Sequence, residues 1–192
     1  ATEVTEWQYA VFRAKAAAVG APGDAECAGE PIDNEYNIDP KCDADQPAYV
    51  HHCSAKAYCE ASGRTLCTPE TWMFACTNGG NTKYGYGDVK SGVCNSADFH
   101  PVGSLPSCRG TTPPFDSVYD LSGNVAEWTD ECRRTSGVGA GGNGTTVPDQ
   151  VDCRVRGGSF AGPADSMACA LSGLPGTAEG WLGRYERAGF RC

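Results

Sequence analysis

The residues most able to do chemistry lie in one short stretch, VYDLSGNVAEWTD, from Val118 to Asp130. Asp120 and Glu127 are close in this stretch, and Gly123 between them can bend the backbone so that carbonyl oxygens turn toward both carboxylates. Hard cations such as calcium prefer that mixture of oxygens, although the EF-hand spacing is absent. A turn with two solvated acids and a core tryptophan, Trp128, is the alternative interpretation of the same pattern.

Twelve cysteines are spread along the 192 residues, an even number and a high one for this length. No two of them have the C-x-x-C spacing, which disfavours zinc ribbons and thioredoxin-like redox sites. The pattern predicts up to six disulfides and therefore an oxidising compartment, that is, a secreted, periplasmic or cell-surface protein.

The histidines and glycines do not form a recognisable catalytic motif. His51 and His52 are adjacent, so their side chains diverge if the segment is extended, and His100 is isolated. We interpret all three as surface or core residues. The glycines at 137–144 lack the strand-to-helix context of a phosphate-binding loop, and Asn143 begins a glycosylation sequon that matters only in a eukaryotic secretory host.

Length and charge limit the classes of protein that fit. The chain is long enough for one domain with a sizeable core, and we expect a single domain over residues 1–192. Its formal net charge is -9 with no basic stripe, so nucleic acid is not an expected partner. No apolar run reaches transmembrane length, and no signal peptide is present, which suggests a mature or trimmed chain.

Few segments show regular periodicity. Thr5 predicts the start of a helix over residues 6–19, with Trp7, Val11, Ala14 and Ala18 on one apolar stripe. Further signals predict a helix after Ser54 that ends at Gly63, and a third helix from Thr68 to about Cys76. Glycine-rich loops and short strand-like pieces follow, so we expect an irregular, loop-rich α+β fold held together by disulfides.

Five blocks, in order along nearly the whole chain, resemble the signature blocks of the formylglycine-generating enzyme (sulfatase-modifying factor) family. They are TEVTEWQYAVF, AKAYCEASGRTLCTPETWMFAC, YDLSGNVAEWTD, RVRGGSF and the terminal GFRC. The resemblance implies an irregular α+β fold related to C-type lectins. The strands that usually precede the first block have no match here, so we expect either a trimmed chain or a sheet that is completed differently.

The resemblance also implies a role for the acidic stretch. In the family, the corresponding block binds a structural calcium ion. Carried over by position, Asp120 and Glu127 supply side-chain oxygens, and Gly123 and Val125 supply main-chain carbonyls. The family's second calcium loop falls near Asn95 and Ser96, but its other acidic ligand has no clear match, so that site is not assigned.

Two disulfides are implied by the resemblance, Cys59–Cys192 and Cys76–Cys169. The remaining eight cysteines can close short local loops, which are cheap to close. Nearness in the sequence alone suggests the pairs Cys27–Cys42, Cys53–Cys67, Cys94–Cys108 and Cys132–Cys153.

The family's copper chemistry does not carry over. Its enzymes oxidise a sulfatase cysteine to formylglycine with molecular oxygen and a copper(I) ion held by two thiolates, and soft thiolates suit copper(I). Gly162 and Met167 stand at the positions of those thiols, and the nearby Cys169 is assigned to a disulfide. Ala126 replaces a usual aromatic residue, and Ser159 matches a serine of the active-site groove. Copper is therefore not an expected cofactor; a site of Met167 and Cys169 is a remote hypothesis.

A disulfide-rich scaffold without these ligands suggests a binding module for an extracellular protein or glycan. The segment 161–186 lines the groove in the enzymes, and here it carries Trp181, Arg184 and Tyr185, residue types typical of binding anchors; Ser159 completes the candidate site. Trp181 as a core residue is the alternative. Variable proteins of diversity-generating retroelements, which share this fold, diversify the same segment.

Two other functions stay open on the sequence. An active formylglycine-generating oxidase requires two free cysteines. A structural component of a cell envelope or filament requires self-association without a ligand.

Overall fold

The computed structural model describes residues 1–15, 27, 32, 44–94, 98, 100–135, 150–160, 162, 164–170, 181–183 and 187–192. Several predicted positions lie outside these ranges, namely Cys42, Asn95, Ser96, the sequon at Asn143, Arg184 and Tyr185. Among the described helices, none combines the length and the hydrophobicity needed to cross a membrane.

Helix α1 (Glu6–Lys15) begins at the predicted threonine. The Gln8 amide donates to Thr5 Oγ1 at 3.2 Å, and the Thr5 amide donates to Gln8 Oε1 at 2.9 Å, which is a reciprocal capping box. The predicted buried stripe is wrong, because Trp7 is 64% exposed while Tyr9 lies in the core at 2%. Residues 16–19 of the predicted helix fall outside the described ranges.

Helices α2 (His52–Ala61) and α3 (Pro69–Cys76) lie close to their predicted places. Helix α2 begins at His52, before the predicted cap, and Gly63 follows its end with φ +69°. Helix α3 has Thr68 as its N-cap, and Thr68 Oγ1 accepts a hydrogen bond from the Thr71 amide at 3.2 Å.

Five strands among the described residues form one sheet, and two short 3-10 helices (Phe115–Ser117 and Ala164–Met167) lie outside it. Its strands are β1 (Val50–His51), β2 (Glu127–Thr135), β3 (Gln150–Arg156), β4 (Trp181–Gly183) and β5 (Arg187–Phe190), in the spatial order β1-β5-β2-β3-β4. Strands β2 and β5 are parallel and the other pairs are antiparallel. The β2–β3 register shifts between Trp128 and Cys132, so the acidic stretch joins the sheet through an irregular strand.

The core lies between this sheet and helices α1 and α2. Trp128, Phe190 and Tyr9 are buried in it, and Tyr58 of α2 packs on its edge. The Trp128 indole donates to the Val50 carbonyl at 2.8 Å, which satisfies its only polar group. Few helices, one small mixed sheet and many loops confirm the predicted α+β class.

Five disulfides link the described cysteines. Two of them, Cys59–Cys192 and Cys76–Cys169, are the pairs that the family resemblance implies. Two local pairs, Cys94–Cys108 and Cys132–Cys153, also match the expected connections. These bonds favour an oxidising compartment.

The fifth disulfide corrects the remaining predictions. Cys27 is bonded to Cys53, so the expected pairs Cys27–Cys42 and Cys53–Cys67 are both wrong. Cys67 is the one free cysteine among the described residues, and its backbone is fixed by hydrogen bonds with Arg191 and Asp130. Sequence separation did not predict these pairs, because the entropy cost of closing a loop changes slowly with its length. The packing of the helices and strands therefore decides which cysteines pair.

Candidate functional site

The acidic stretch folds as a tight loop before strand β2. Asp120 and Asn124 have left-handed backbones, with φ +63° and +59°, a conformation that Asp and Asn tolerate better than most residues. Gly123 has φ +114°, and a Cβ atom there would lie 2.4 Å from the Cys94 carbonyl oxygen. A glycine is therefore required where this loop passes the Cys94–Cys108 disulfide.

Glu127 pairs with a buried arginine that the sequence reasoning missed. Arg191 Nε donates to Glu127 Oε2 at 2.6 Å, and its Nη2 forms a second, shorter contact with Oε1. The Trp72 indole also donates to Glu127 Oε2, at 2.8 Å. Burial alone lowers the pKa of the Arg191 guanidinium, but the Glu127 charge and hydrogen bonds outweigh burial, so the net shift is upward.

Two further carboxyl groups lie near this ion pair. Glu3 is 1% exposed, and burial, followed by the charges of Glu127 and Asp120, raises its pKa well above the ordinary value. Glu3 Oε1 accepts a hydrogen bond from Asn124 Nδ2 at 3.1 Å. Burial also raises the pKa of Asp120, although the Gly103 amide, 2.6 Å from Oδ2, partly offsets this.

The predicted calcium ligands all lie in the acidic loop and at its junction with strand β2. Asp120 and Glu127 are both buried acids in this cluster. Within the described ranges, no hydrogen bond to the carbonyl oxygens of Gly123 or Val125 is present. Carboxylate and carbonyl oxygens of this kind suit a hard cation. A cation bound here would share the Glu127 oxygens with Arg191.

The second region that the sequence singled out, around the family's thiol positions, follows strand β3. Gly162 donates its amide to the Ser159 carbonyl at 2.9 Å, and a Cβ atom on Gly162 would lie 2.8 Å from Ser166 Oγ. Met167 is fully buried and packs with Tyr84. Cys169, also buried, is bonded to Cys76. A cysteine at position 162 would thus require the Ser166 hydroxyl to move, and neither family position has a thiol.

Of the predicted ligand-binding residues, Ser159 and the backbone of Trp181 lie within the described ranges. Ser159 is half-buried in the loop after β3, and the backbone of Trp181 pairs with Arg154 in the β3–β4 ladder. Arg156 at the end of β3 is 6% exposed, and its Nε has no hydrogen-bond partner among the described residues. Burial, followed by the charge of Arg154, lowers the pKa of Arg156.

Two residues of the acid cluster, Glu3 and Arg191, have no feature in the sequence that marks them as part of a site. Glu3 lies among polar residues near the chain start and looks exposed, while Arg191 belongs to the GFRC block, 64 residues after Glu127. The formation of the ion pair requires strand β5 to lie beside β2, where Gly189 pairs with Glu127. Only a correct strand order would have indicated the contact.

Solved structures of other proteins resemble this chain to different extents. CarF is 19% identical, matches over 100% of this chain and 84% of its own, and superposes with a TM-score of 0.57. PvdO from Pseudomonas aeruginosa is 18% identical, matches over 100% of this chain and 78% of its own, and has a TM-score of 0.54. Treponema denticola variable protein 1 is 25% identical over 66% of this chain, which spans 47% of that protein, with a TM-score of 0.38.

The likenesses to CarF and PvdO show the fold class, a loop-rich α+β domain of the formylglycine-generating-enzyme type. The model of the sulfatase-modifying factor enzyme 1-like domain matches residues 1–192, and the chain belongs to that family. No curated protein matches the chain.

Proposed function

We propose that this domain does not carry out the family's copper-dependent oxidation and acts as a binding or surface-assembly module outside the reducing cytosol. One observation carries the proposal: Cys169, the cysteine nearest the family's thiol positions, is bonded to Cys76. Gly162 and Met167 stand where thiolates are expected, and a thioether alone is a weak replacement for two thiolates.

A copper(I) competition experiment tests this proposal. The purified chain is titrated against a chromophoric copper(I) chelator, with the double variant Gly162→Cys/Met167→Cys as the matched control. We expect the chain to leave the chelator complex intact and the double variant to withdraw copper. Withdrawal of one copper ion per unmodified chain would contradict the proposal and favour the oxidase.

The binding partner proposed is an extracellular protein or glycan, and the proposed surface is the segment 161–186 with Ser159. The support is limited to the position of Trp181 at the sheet edge, in strand β4, and to the residue types Arg184 and Tyr185. A purely structural role in an envelope or filament is the alternative. Solution mass at two concentrations separates them, because only the structural role requires self-association.

We further propose that calcium binds the Asp120–Glu127 loop and stabilises the fold. Asp120 and Glu127 would supply carboxylate oxygens, and Gly123 and Val125 would supply carbonyl oxygens. At a free calcium concentration one hundredfold above its Kd, binding would stabilise the folded state by about 2.7 kcal/mol.

Thermal unfolding in calcium and in chelator tests this site. We expect calcium to raise the Tm of the wild-type chain and of Glu60→Gln, a control on the exposed face of α2. The same addition should have no effect on Asp120→Asn. An identical wild-type Tm in calcium and in chelator would remove calcium from the account.

A further inference from the structure

A buried arginine at the end of strand β3 has no direct counter-charge in the described part of the chain. Arg156 and Arg191 are both 6% exposed. Arg191 has a bidentate carboxylate partner, whereas neither a hydrogen bond nor an ion pair to the Arg156 side chain occurs among the described residues. A guanidinium carries five N–H donors and no acceptor, and burying a charge without a partner costs free energy. The Arg156 side chain therefore has unused capacity to bind an acceptor.

The acids that surround Arg156 in the fold are engaged elsewhere. Glu127 is its partner in the β2–β3 register, but both Glu127 oxygens are bonded to the other buried arginine. Glu131 lies on Arg154, with Oε2 3.6 Å from Nε. Glu70 is exposed, and its carboxylate forms local hydrogen bonds at the N-terminus of α3. The acids within the described ranges therefore leave the Arg156 guanidinium to a ligand from outside.

The Arg156 side chain lies on the sheet face that helix α3 contacts. Alternate residues of β3 belong to the hydrophobic core, namely Val151, Cys153 and Val155. Arg156 is out of phase with them and lies on the opposite face, where the Trp72 indole bonds to Glu127. The chain then enters the loop that carries Ser159, and a Cβ atom on Gly157 would lie 3.2 Å from Trp72 Cζ2. These contacts place Arg156 where α3 meets this loop, at the proposed binding surface.

We propose that Arg156 binds the carboxylate of an aspartate or glutamate side chain on a protein partner. The planar guanidinium fork matches the two oxygens of a carboxylate, and Arg191 makes this pairing with Glu127 inside the same domain. Because Arg156 is almost fully buried, a carboxylate on a flexible side chain reaches it more easily than one bonded directly to a sugar ring. The inference rests on the proposed binding function and narrows the partner to a protein with an exposed acid.

Titration with a small carboxylate tests this site. The isotope-labelled chain is titrated with N-acetylglutamate amide in a buffer free of other carboxylates, and the NMR signal of the Arg156 Nε–H group is followed. We expect a saturable shift with this probe, no shift with N-acetylglutamine amide, and weaker binding of glucuronate. The absence of a saturable shift with N-acetylglutamate amide would overturn the proposal. Glucuronate binding of equal or greater affinity would also overturn it, in favour of an acidic glycan.

The variants Arg156→Met and Arg64→Met separate a defined site from general attraction to positive charge. Arg64 is exposed in the turn after α2 and is the matched control. The backbone amide signals of Gly158 and Ser159 report binding where the Arg156 side chain is absent. Arg156→Met should raise the Kd of the probe at least about tenfold, because hydrogen bonds to a charged group are lost, and Arg64→Met should leave it unchanged. Equal Kd values for the wild type and Arg156→Met would contradict the assignment.

Denaturant titration without the probe distinguishes a binding arginine from a structural one. An apolar side chain of similar length in place of an unpaired buried charge should leave the denaturant midpoint unchanged or raise it. Arg191→Met removes a paired charge and should lower the midpoint. A fall in Arg156→Met as large as in Arg191→Met would show that Arg156 already has a structural partner, and would overturn the proposal.

Failure of this inference is distinguishable from failure of the proposed function. Copper withdrawal by the unmodified chain would contradict the proposed function, and it is measured independently of the probe titration. A chain that leaves copper with the chelator and does not bind N-acetylglutamate amide would overturn the carboxylate site alone.

Discussion

Arg191 controls the charge of the buried acid cluster. Its guanidinium is 7% exposed at the side chain and pairs with the 1% exposed side chain of Glu127 through two contacts. It also donates to the Tyr119 carbonyl at 3.1 Å, which ties the last residues of the chain to the start of the acidic loop. A bidentate arginine suits this role, because two parallel hydrogen bonds satisfy both carboxylate oxygens.

Replacement of Arg191 by methionine should strongly destabilise the fold, because it leaves Glu127 buried without a counter-charge. A cost of about 3–5 kcal/mol in the free energy of unfolding is expected. Denaturant titration in the presence of chelator measures it without interference from metals.

The double variant Arg191→Met/Glu127→Gln is the control for this cost. It removes both charges, and the new glutamine side chain retains an amide oxygen that can accept from Trp72. The double variant should therefore lose less stability than Arg191→Met alone. A single-variant cost below about 1 kcal/mol would show that Glu127 is not held as the structure has it.

The candidate site could be predicted from the sequence only where the ligands are close together in the chain. Asp120, Gly123 and Glu127 lie in one sequence block, so a single loop predicts that they are close together. Glu3 and Arg191 come from opposite ends of the chain, and their contact with the loop depends on the strand order. Cys27 and Cys53 were mispaired for the same reason.

Helix α3 illustrates how much a local signal can determine by itself. Thr68, Pro69 and Glu70 provide a cap, a first-turn proline and an acid near the helix N-terminus, and the helix begins where they predict. Its Trp72 then reaches the Glu127 carboxylate, so the start of α3 also positions one hydrogen bond of the acid cluster.

Loss of the α3 cap should cost a moderate and measurable amount of stability. Thr68→Ala removes the oxygen that accepts from the Thr71 amide, and a loss of about 1 kcal/mol is expected. Thr65→Ala changes an exposed threonine in the preceding loop and serves as the control. If both variants unfold at the same denaturant concentration as the wild type, the cap does not stabilise the helix.

Helix α1 shows where a local signal fails. Its capping box fixes the start of the helix, but its apolar residues do not identify the buried face. Glu6 and Tyr9 turn inward, while Trp7 and Val11 are exposed. The sheet against which α1 packs forms from distant segments, and periodicity within ten residues contains no information about that partner.

The whole molecule combines a family fold with a changed set of cysteines. The family blocks lie on the sheet, on helices α1, α2 and α3 and on the acidic loop, and the Cys59–Cys192 and Cys76–Cys169 disulfides join several of them. The same Cys76–Cys169 bond removes the thiol nearest the family's copper positions. Among the described residues, no pair of free thiols remains in this region, and the proposed loss of the copper chemistry depends on that.

Alkylation of the unfolded, unreduced chain followed by peptide mapping tests that claim most directly. We predict that Cys169 is recovered unmodified in a peptide linked to Cys76, and that any alkylated cysteine is Cys67 or Cys42. Stoichiometric alkylation of Cys169 would contradict the claim, because a free thiol beside Met167 would restore a possible copper ligand.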